Sequence, residues 1–598
     1  MSWEVWTMKS KTSFFDPTLL KKNVGRFAPA WGLLTVFLFL NFPLPLMLRI
    51  RSRYGDLRVE TLRTYLGETE AAGIVFAFGA AILFAALVFK YLHRTGSAYM
   101  MHAFPMTRRC QFLTNAVSGL LFWLIPVLIA VLCELGVLAA TGFSQLGGQV
   151  WATAGRWCLA YLCFYGIAVF AMQLSGRTVI AIMSYGALNF MFMVLPLLIL
   201  LLVGFYFRGF DYSVPDSFVY LSPLIAMLTG GSWYGTPMSD WVYVVYAALG
   251  LSLLALSQLL YKYRHVERAG DPMVFPWAKI AFRVLFTLCV ALGLGWVFYG
   301  IFGLFRGDTD DGYLAFCLLG CFIGWFGSSM MIERTVKVFR RKKVWLGFAA
   351  FAAVLILVVV GLKYDLLGLQ RRVPETDRVV SVELWTTGNP GDSETDCIVL
   401  TEPEDVDAVR SFHAKALQSS AVERSGRELF GYDGYGVHIC YHLSNGGTLR
   451  RVYEPGLSDC EGLEALFSRP DVAEAYYARV LPEKFNWVTL GGFEDYYVDD
   501  DGTSNYLWKG ELECKDNAAL RGAILADAKA GRLPVVNFIT RNSARIHSVP
   551  SSIGKDAFGF VGDLYLMFEI AEPAAGDLRF VTLPITPEAT ETLALFLP

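Results

Sequence analysis

Charge is scarce in this chain. Asp, Glu, Lys and Arg make up 17% of its 598 residues, against about a quarter in ordinary soluble domains, and only 7 residues are histidine. With 55% hydrophobic residues and a mean hydropathy of +0.45, the composition argues against a soluble enzyme and for a membrane protein. The motifs of several chemistries are missing as well. No G-x-x-x-x-G-K-[ST] stretch occurs, which excludes a P-loop ATPase on this chain. The C-terminal half has no H-E-x-x-H, G-x-S-x-G or C-x-x-C, which removes the commonest zinc-protease, serine-hydrolase and dithiol readings. Basic residues sit in short clusters between apolar runs instead of forming a phosphate-gripping patch, so no nucleic-acid partner is expected. Nor is a cleavable signal peptide expected. Residues 1–28 are polar, with Lys9, Lys11, Lys21, Lys22 and Arg26, and read as a cytoplasmic N-terminal segment.

Long apolar runs, by contrast, are abundant. A bilayer crossing takes roughly 20 apolar residues. Nine candidates lie at 29–48, 72–92, 112–140, 158–174, 179–205, 241–261, 280–304, 313–331 and 344–362. They predict a polytopic α-helical membrane protein with about nine transmembrane helices. The fourth is the shortest, and the third contains Pro126, where a tilt or kink is expected. Charge divides the chain near the end of the ninth run. Residues 1–363 carry 30 Lys and Arg against 16 Asp and Glu, whereas residues 364–598 carry 21 against 37. With the N-terminus inside, the inner connections hold 21 Lys and Arg and the outer ones 8. That asymmetry predicts a cytoplasmic N-terminus and, after nine crossings, an extracytoplasmic C-terminal domain. One loop goes against it: residues 49–70 carry five Arg on the outer side, offset by Asp56, Glu60, Glu68 and Glu70.

Two connections stand out. In the loop at 91–110, Tyr99, Met100, His102, Ala103 and Phe104 form a small amphipathic patch, followed by Pro105 and Arg108-Arg109. Such a segment can lie along the interface or dock into a groove of a cytoplasmic partner, and it also reads as an ordinary positive-inside loop. In the outer loop at 208–240, the stretch Tyr220-Leu-Ser-Pro-Leu-Ile-Ala-Met-Leu-Thr229 is apolar but too short to span. It reads either as a re-entrant or interfacial helix or as a packed loop.

Taken together, these features resemble the permease subunits of type-2 ABC exporters. His102-Ala-Phe-Pro-Met-Thr-Arg-Arg109 resembles the H-x-hydrophobic-P-x-x-R stretch of such permeases from Gram-positive bacteria, and Tyr220-Leu-Ser-Pro223 resembles their segment before the sixth span. The resemblance covers roughly residues 20–265. Similar long permeases, of the multidrug or acetoin-utilisation kind, add further spans and a C-terminal extracytoplasmic domain. It implies a six-helix permease core at 29–265, three additional transmembrane helices at 266–363 and an extracytoplasmic α+β domain at 364–598. A transport subunit of a plasma-membrane exporter is implied, neither an enzyme nor a cofactor protein. Its partners would be a separate ABC ATPase chain, a second permease (identical or paralogous) and membrane lipid. Tyr99, Met100, His102, Phe104, Pro105, Arg108 and Arg109 would couple to the ATPase, with Tyr220, Ser222 and Pro223 in an outer re-entrant segment. The rival readings are a membrane sensor or immunity component whose outer domain binds an envelope or peptide ligand, and a membrane-anchored envelope enzyme, which the missing catalytic motifs disfavour.

Polar residues inside the runs are few. Glu134 is a candidate for the substrate path, because a carboxylate in lipid costs several kcal/mol; its place toward the outer end of the third run also suits an interfacial or structural role. Asn115, Gln173 and Asn189 lie in or near runs. Cys317 and Cys321, four apart, share a helix face and read as core packing. Beyond residue 376 a strand is expected at 378–385 and helices at 404–417, 461–477, 517–530 and 587–596. Hairpins are expected around Asn445-Gly-Gly447 and Ala575-Gly-Asp577. The order helix, hairpin, helix occurs twice, which suggests two related units at 377–480 and 485–598. His438, Cys440 and His442 alternate along one strand and share a face. That spacing can bind zinc or copper, but no fourth ligand is identifiable, and a solvated polar face is the plainer expectation; no metal is assigned. Asp499-Asp500-Asp501-Gly502 reads as a turn with weak calcium affinity or as a merely solvated one. Cys397, Cys440, Cys460 and Cys514 allow three disulfide pairings.

Overall fold

The computed structural model describes residues 14–52, 59–104, 106–207, 209–210, 216–230, 238–306, 310–386, 397–418, 437–453, 461–483, 485, 488–498, 504–535, 564–571, 578–585 and 589–596. Pro105, Cys460, Ala575-Gly576-Asp577 and Asp499-Asp500-Asp501-Gly502 lie outside them. Contacts divide the chain into two compact units, 1–199 with 214–353, and 200–213 with 354–598.

Among the described residues, nine helices are long and apolar enough to cross a membrane. The chain enters them through a helix that the sequence reading passed over, α1 (Pro17–Arg26). Asp16 caps it by accepting from the backbone of Thr18 at 2.8 Å, and Pro17 fills the first turn, where its missing N–H costs nothing. The first span is broken in two, α2 (Ala28–Asn41) and α3 (Pro43–Ser52). Phe42 keeps a helical ψ (φ −119°, ψ −72°), and Pro43, which has no N–H to bond back into the turn, starts the second piece. Next come α4 (Val59–Phe89), α5 (Thr95–His102), α6 (Arg108–Ala140), α7 (Gly147–Leu174), α8 (Thr178–Tyr206), α9 (Pro223–Thr229), α10 (Asp240–Tyr263), α11 (Pro276–Arg306), α12 (Asp310–Glu333) and α13 (Lys342–Lys363). Helix α6 passes through Pro126 as one element.

Two helices start more than ten residues before their apolar runs. Helix α4 begins at Val59, so Glu60, Arg63, Glu68 and Glu70 lie on helix and not in a loop. Helix α7 begins at Gly147, well before residue 158, and is the most enclosed span: 78% of its apolar stretch is buried, against 22% for α8. It packs on α4, α6 and α10. Small residues set these approaches. A Cβ on Gly166 of α7 would meet the Gly250 carbonyl of α10 at 2.2 Å, and one on Gly250 would meet the Leu162 carbonyl at 2.3 Å. Without Cβ atoms at the crossing, the two backbones pack directly, as small residues allow between apolar helices. Gly320 and Gly324 let α12 lie as closely on α11, with Cys317 against Gly295 and both Cys317 and Cys321 buried.

Among the described residues, the second unit holds two four-stranded antiparallel sheets with one topology. The first half runs β1 (Val379–Thr386), β2 (Ile398–Leu400), α14 (Pro403–Ala416), β3 (Val437–Leu443), β4 (Thr448–Tyr453), α15 (Glu461–Phe467) and α16 (Pro470–Val480). The second runs β5 (Val488–Val498), β6 (Ser504–Glu513), α17 (Asn517–Lys529), β7 (Leu564–Ala571), β8 (Leu578–Ile585) and α18 (Thr590–Ala594). Sheet orders are β2-β1-β3-β4 and β6-β5-β7-β8, so each half runs strand, strand, helix, strand, strand and then helix (two helices in the first half), with the first strand beside the third. Leu384, Ile439, Phe412, Tyr477, Leu490 and Ile524 belong to one shared core.

Three expectations need correction. The single helix at 461–477 is two, because Pro470 holds Arg469 extended (φ −70°, ψ 131°) and starts a new helix. Strands β5 and β6 were not among the expected elements; their pairing carries irregularities of register between Leu490 and Gly492 and between Phe493 and Asp495. The face of β3 carrying His438, Cys440 and His442 is not solvated throughout. His438 stacks on Trp385 with ring centroids 5.0 Å apart, and Cys440 is only 1% exposed. All ten described cysteines are free, Cys397, Cys440 and Cys514 among them.

Candidate functional site

Helix α5 is short and carries little internal support, so its position depends on what its neighbours hold. At its C-terminal end Gln111 of α6 donates to the Met101 carbonyl at 3.2 Å. The Gln111 side-chain oxygen accepts from the Tyr261 hydroxyl at 2.7 Å, and Tyr261 in turn lies 3.0 Å from the Tyr91 hydroxyl. Asn115 reaches Tyr91 and accepts from Asn23 of α1 at 2.9 Å. A single chain of polar side chains therefore connects α5 to α6, α10, the end of α4 and α1. In an apolar bundle each of these groups needs a partner, and each finds it in the next.

Two arginines close the same end. The first turn of α6 is a poor place for cations, since the positive end of the helix dipole points there. Arg108 turns away and donates to the carbonyls of Lys262 (3.0 Å) and Arg264 (3.2 Å), at the negative end of α10. Arg264, 5% exposed, donates to Met172 (2.9 Å), Gln173 (2.8 Å) and Ser175 (2.9 Å) at the end of α7 and to Leu92 (3.1 Å) beyond α4. The last carbonyls of a helix lack intrahelical donors, and one guanidinium supplies four of them here. Burial lowers the Arg264 pKa to about 10, against the opposing pull of Tyr91 and Tyr261, so the group stays charged at neutral pH. Gly176 extends the lock: its N–H donates to Asp271 at 2.9 Å and its carbonyl accepts from Gly270 at 2.8 Å.

The residues expected to couple to a partner divide in their exposure. Tyr99 is 57% exposed, Met100 61% and Phe104 49%, an apolar patch with no covering element among the described residues. His102 turns back toward Tyr261, ring centroids 5.8 Å apart; partial burial, then Arg108 and Arg264, lower its pKa and keep it neutral. Arg109 stays exposed, and a cavity of about 230 Å³ opens between Thr107, Arg108, Arg109, Gln258, Tyr261 and Lys262.

The opposite end of the bundle gathers a charged cluster. Arg156 of α7 pairs with Glu70 of α4 at 2.6 Å and with Asp240 of α10 at 2.7 Å, while the Tyr243 hydroxyl donates to Glu70 at 2.6 Å. Helix α9 packs nearby against α4, with Ser222 buried as its N-cap, Pro223 buried in the first turn, and the carbonyl of the 41%-exposed Tyr220 accepting from Tyr246 at 2.8 Å. Glu134 is 5% exposed and has no hydrogen bond or ion pair among the described residues. Asn23, Tyr91, Tyr261 and Arg264 were missed in the sequence. Their only signal is that polar residues recur at the ends of apolar runs, which marks every span alike. Compared with protein-family models, with curated proteins and with solved structures, the chain finds no match in any of the three.

Proposed function

We propose that this chain is the permease subunit of an ATP-driven exporter of the type-2 ABC kind, and that a separate ATPase chain docks on α5. The observation that carries this reading is the exposed patch Tyr99, Met100 and Phe104, seated directly on the buried polar chain that begins at Met101 and Gln111. A loop with no function beyond connection needs neither feature. The missing phosphate loop fits the same reading, since the energy source then belongs to a partner. The surplus of Lys and Arg in alternate connections supports a cytoplasmic side for α5 and an outer side for the C-terminal unit.

The hydrogen bonds supply a route for the mechanism. Nucleotide-driven closure of two ATPases moves α5 in each of two permeases. Gln111 and Arg108 pass that displacement to α6 and α10, while Arg264 holds α4 and α7 as one block. The bundle thus shifts between inward- and outward-open arrangements by relative movement of two groups of helices. Glu134, an isolated carboxylate near the far end of α6, is the candidate contact on the substrate path. Phe104→Asp tests the docking surface. An apolar anchor at such a surface contributes about 2 kcal/mol or more, and a carboxylate in its place adds a desolvation cost. The variant inserts normally and loses the co-purifying ATPase; full retention of the ATPase refutes the assignment.

A further inference from the structure

The alternating His438, Cys440 and His442 of β3 lacked a further ligand in the sequence, and the neighbouring strand supplies one. Glu383 of β1 pairs directly with Cys440 across the sheet. Its carboxylate lies 3.2 Å from His442 Nε2, which is 3.9 Å from Cys440 Sγ. The three ligand atoms all fall within 4.8 Å of one another. His438 takes another role, stacked on Trp385.

We propose that Glu383, Cys440 and His442 form a three-ligand site for zinc, with the fourth coordination position open to water or another ligand. Tetrahedral zinc, with Zn–S of about 2.3 Å and Zn–N and Zn–O of about 2.0–2.1 Å, separates its N and S ligands by about 3.6 Å and its N and O ligands by about 3.4 Å. The observed separations lie within a few tenths of an ångström of both. A thiolate, an imidazole and a carboxylate are the ligand types of a borderline-soft ion, and magnesium or calcium would decline the sulfur. The charges also match. On binding, the Cys440 thiol releases its proton to solvent, and the resulting thiolate with the carboxylate balances a dication. Placement on paired strands keeps the ligands in register. Leu384, Ile439 and Tyr441, the residues next to them in sequence, are anchored in the core on the other face of the sheet. Arg450 lies exposed opposite Cys440 on β4 by strand register.

Cobalt(II) is the probe. The full-length chain in detergent, stripped with a chelator and titrated with Co²⁺, gains one ion per chain. It shows a thiolate-to-cobalt charge-transfer band and the intense ligand-field bands of a four-coordinate ion, and stoichiometric Zn²⁺ displaces both. Cys440→Ser removes the charge-transfer band; His442→Ala and Glu383→Gln each weaken binding at least tenfold; Cys514→Ser changes nothing. Absence of a thiolate band in the parent chain overturns the proposal without any variant. So does a band that survives Cys440→Ser in protein that elutes like the parent, or one that disappears with Cys514→Ser.

Discussion

Replacing Arg264 tests whether one buried guanidinium holds the helix ends together. In Arg264→Met the carbonyls of Met172, Gln173, Ser175 and Leu92 lose a donor, and the first three belong to the end of one helix. A stranded buried acceptor costs about 1–3 kcal/mol, but the losses are not additive, because removing the charge also removes its own desolvation penalty. A net destabilisation of about 3–5 kcal/mol is expected, the range for breaking one side of a buried charged interaction. At roughly 2–4 °C per kcal/mol for a unit of this size, the melting temperature in detergent falls by about 10 °C. Arg264→Lys separates charge from geometry. A compact ammonium keeps the cation but cannot fork between the two helix ends, so it recovers only part of the loss. Hydrogen exchange accelerates at 175–177, the segment after α7, before it does so in the rest of the bundle. Melting temperatures of Arg264→Met and parent that coincide would refute the reasoning, as would a full rescue by lysine.

Two further substitutions probe packing and protonation. Gly250→Val puts a branched side chain where a Cβ alone would lie 2.3 Å from the Leu162 carbonyl and 2.6 Å from Cys163 Cα. The α7–α10 crossing must open, at a cost of about 1–3 kcal/mol or more, read as lost thermal stability; Gly186→Val, where a Cβ meets nothing within 4 Å, is the comparison. His413 is fully buried, with its ring nitrogens 3.1 Å from the Tyr441 hydroxyl and 2.8 Å from that of Tyr453; burial, then Arg451, lowers its pKa to about 3. Between that value and the unfolded 6.5 the unfolded chain binds the extra proton. Stability from this group is complete above 6.5 and is lost as pH falls toward 3, by up to about 1.4 kcal/mol per pH unit. Hydrogen exchange across β3 and β4, corrected for intrinsic rates, reports this slope, and His413→Phe reduces it while lowering stability at neutral pH.

Apolar run length made the spans legible, because burying twenty apolar residues in lipid needs no knowledge of neighbours. Run length says less about where a helix stops. Glu60 to Glu70 precede the apolar run at 72–92, yet helix α4 continues through them, since charged side chains are good helix formers once they reach water. Gln149, Thr153 and Arg156 hid the start of α7 in the same way. Turn chemistry announced the β3–β4 hairpin at Asn445-Gly446-Gly447, whereas β5, whose pairing is irregular between Leu490 and Gly492, was not among the expected elements. In the candidate site, Tyr99, Met100 and Phe104 were readable because exposure of apolar residues between charged ones is a local pattern. Arg264, Tyr91, Asn23 and Glu383 were not, because their meaning lies in partners dozens to well over a hundred positions away.

The central claim is that α5 receives an ATPase. A photo-crosslinking amino acid in place of Met100, 61% exposed and flanked by Tyr99, reports its neighbour directly in native membranes. On irradiation, the account predicts a covalent adduct between this chain and a separate chain that carries a G-x-x-x-x-G-K-[ST] loop, lost when Phe104→Asp is added. Adducts to lipid alone, or to a partner that binds no nucleotide, would contradict it.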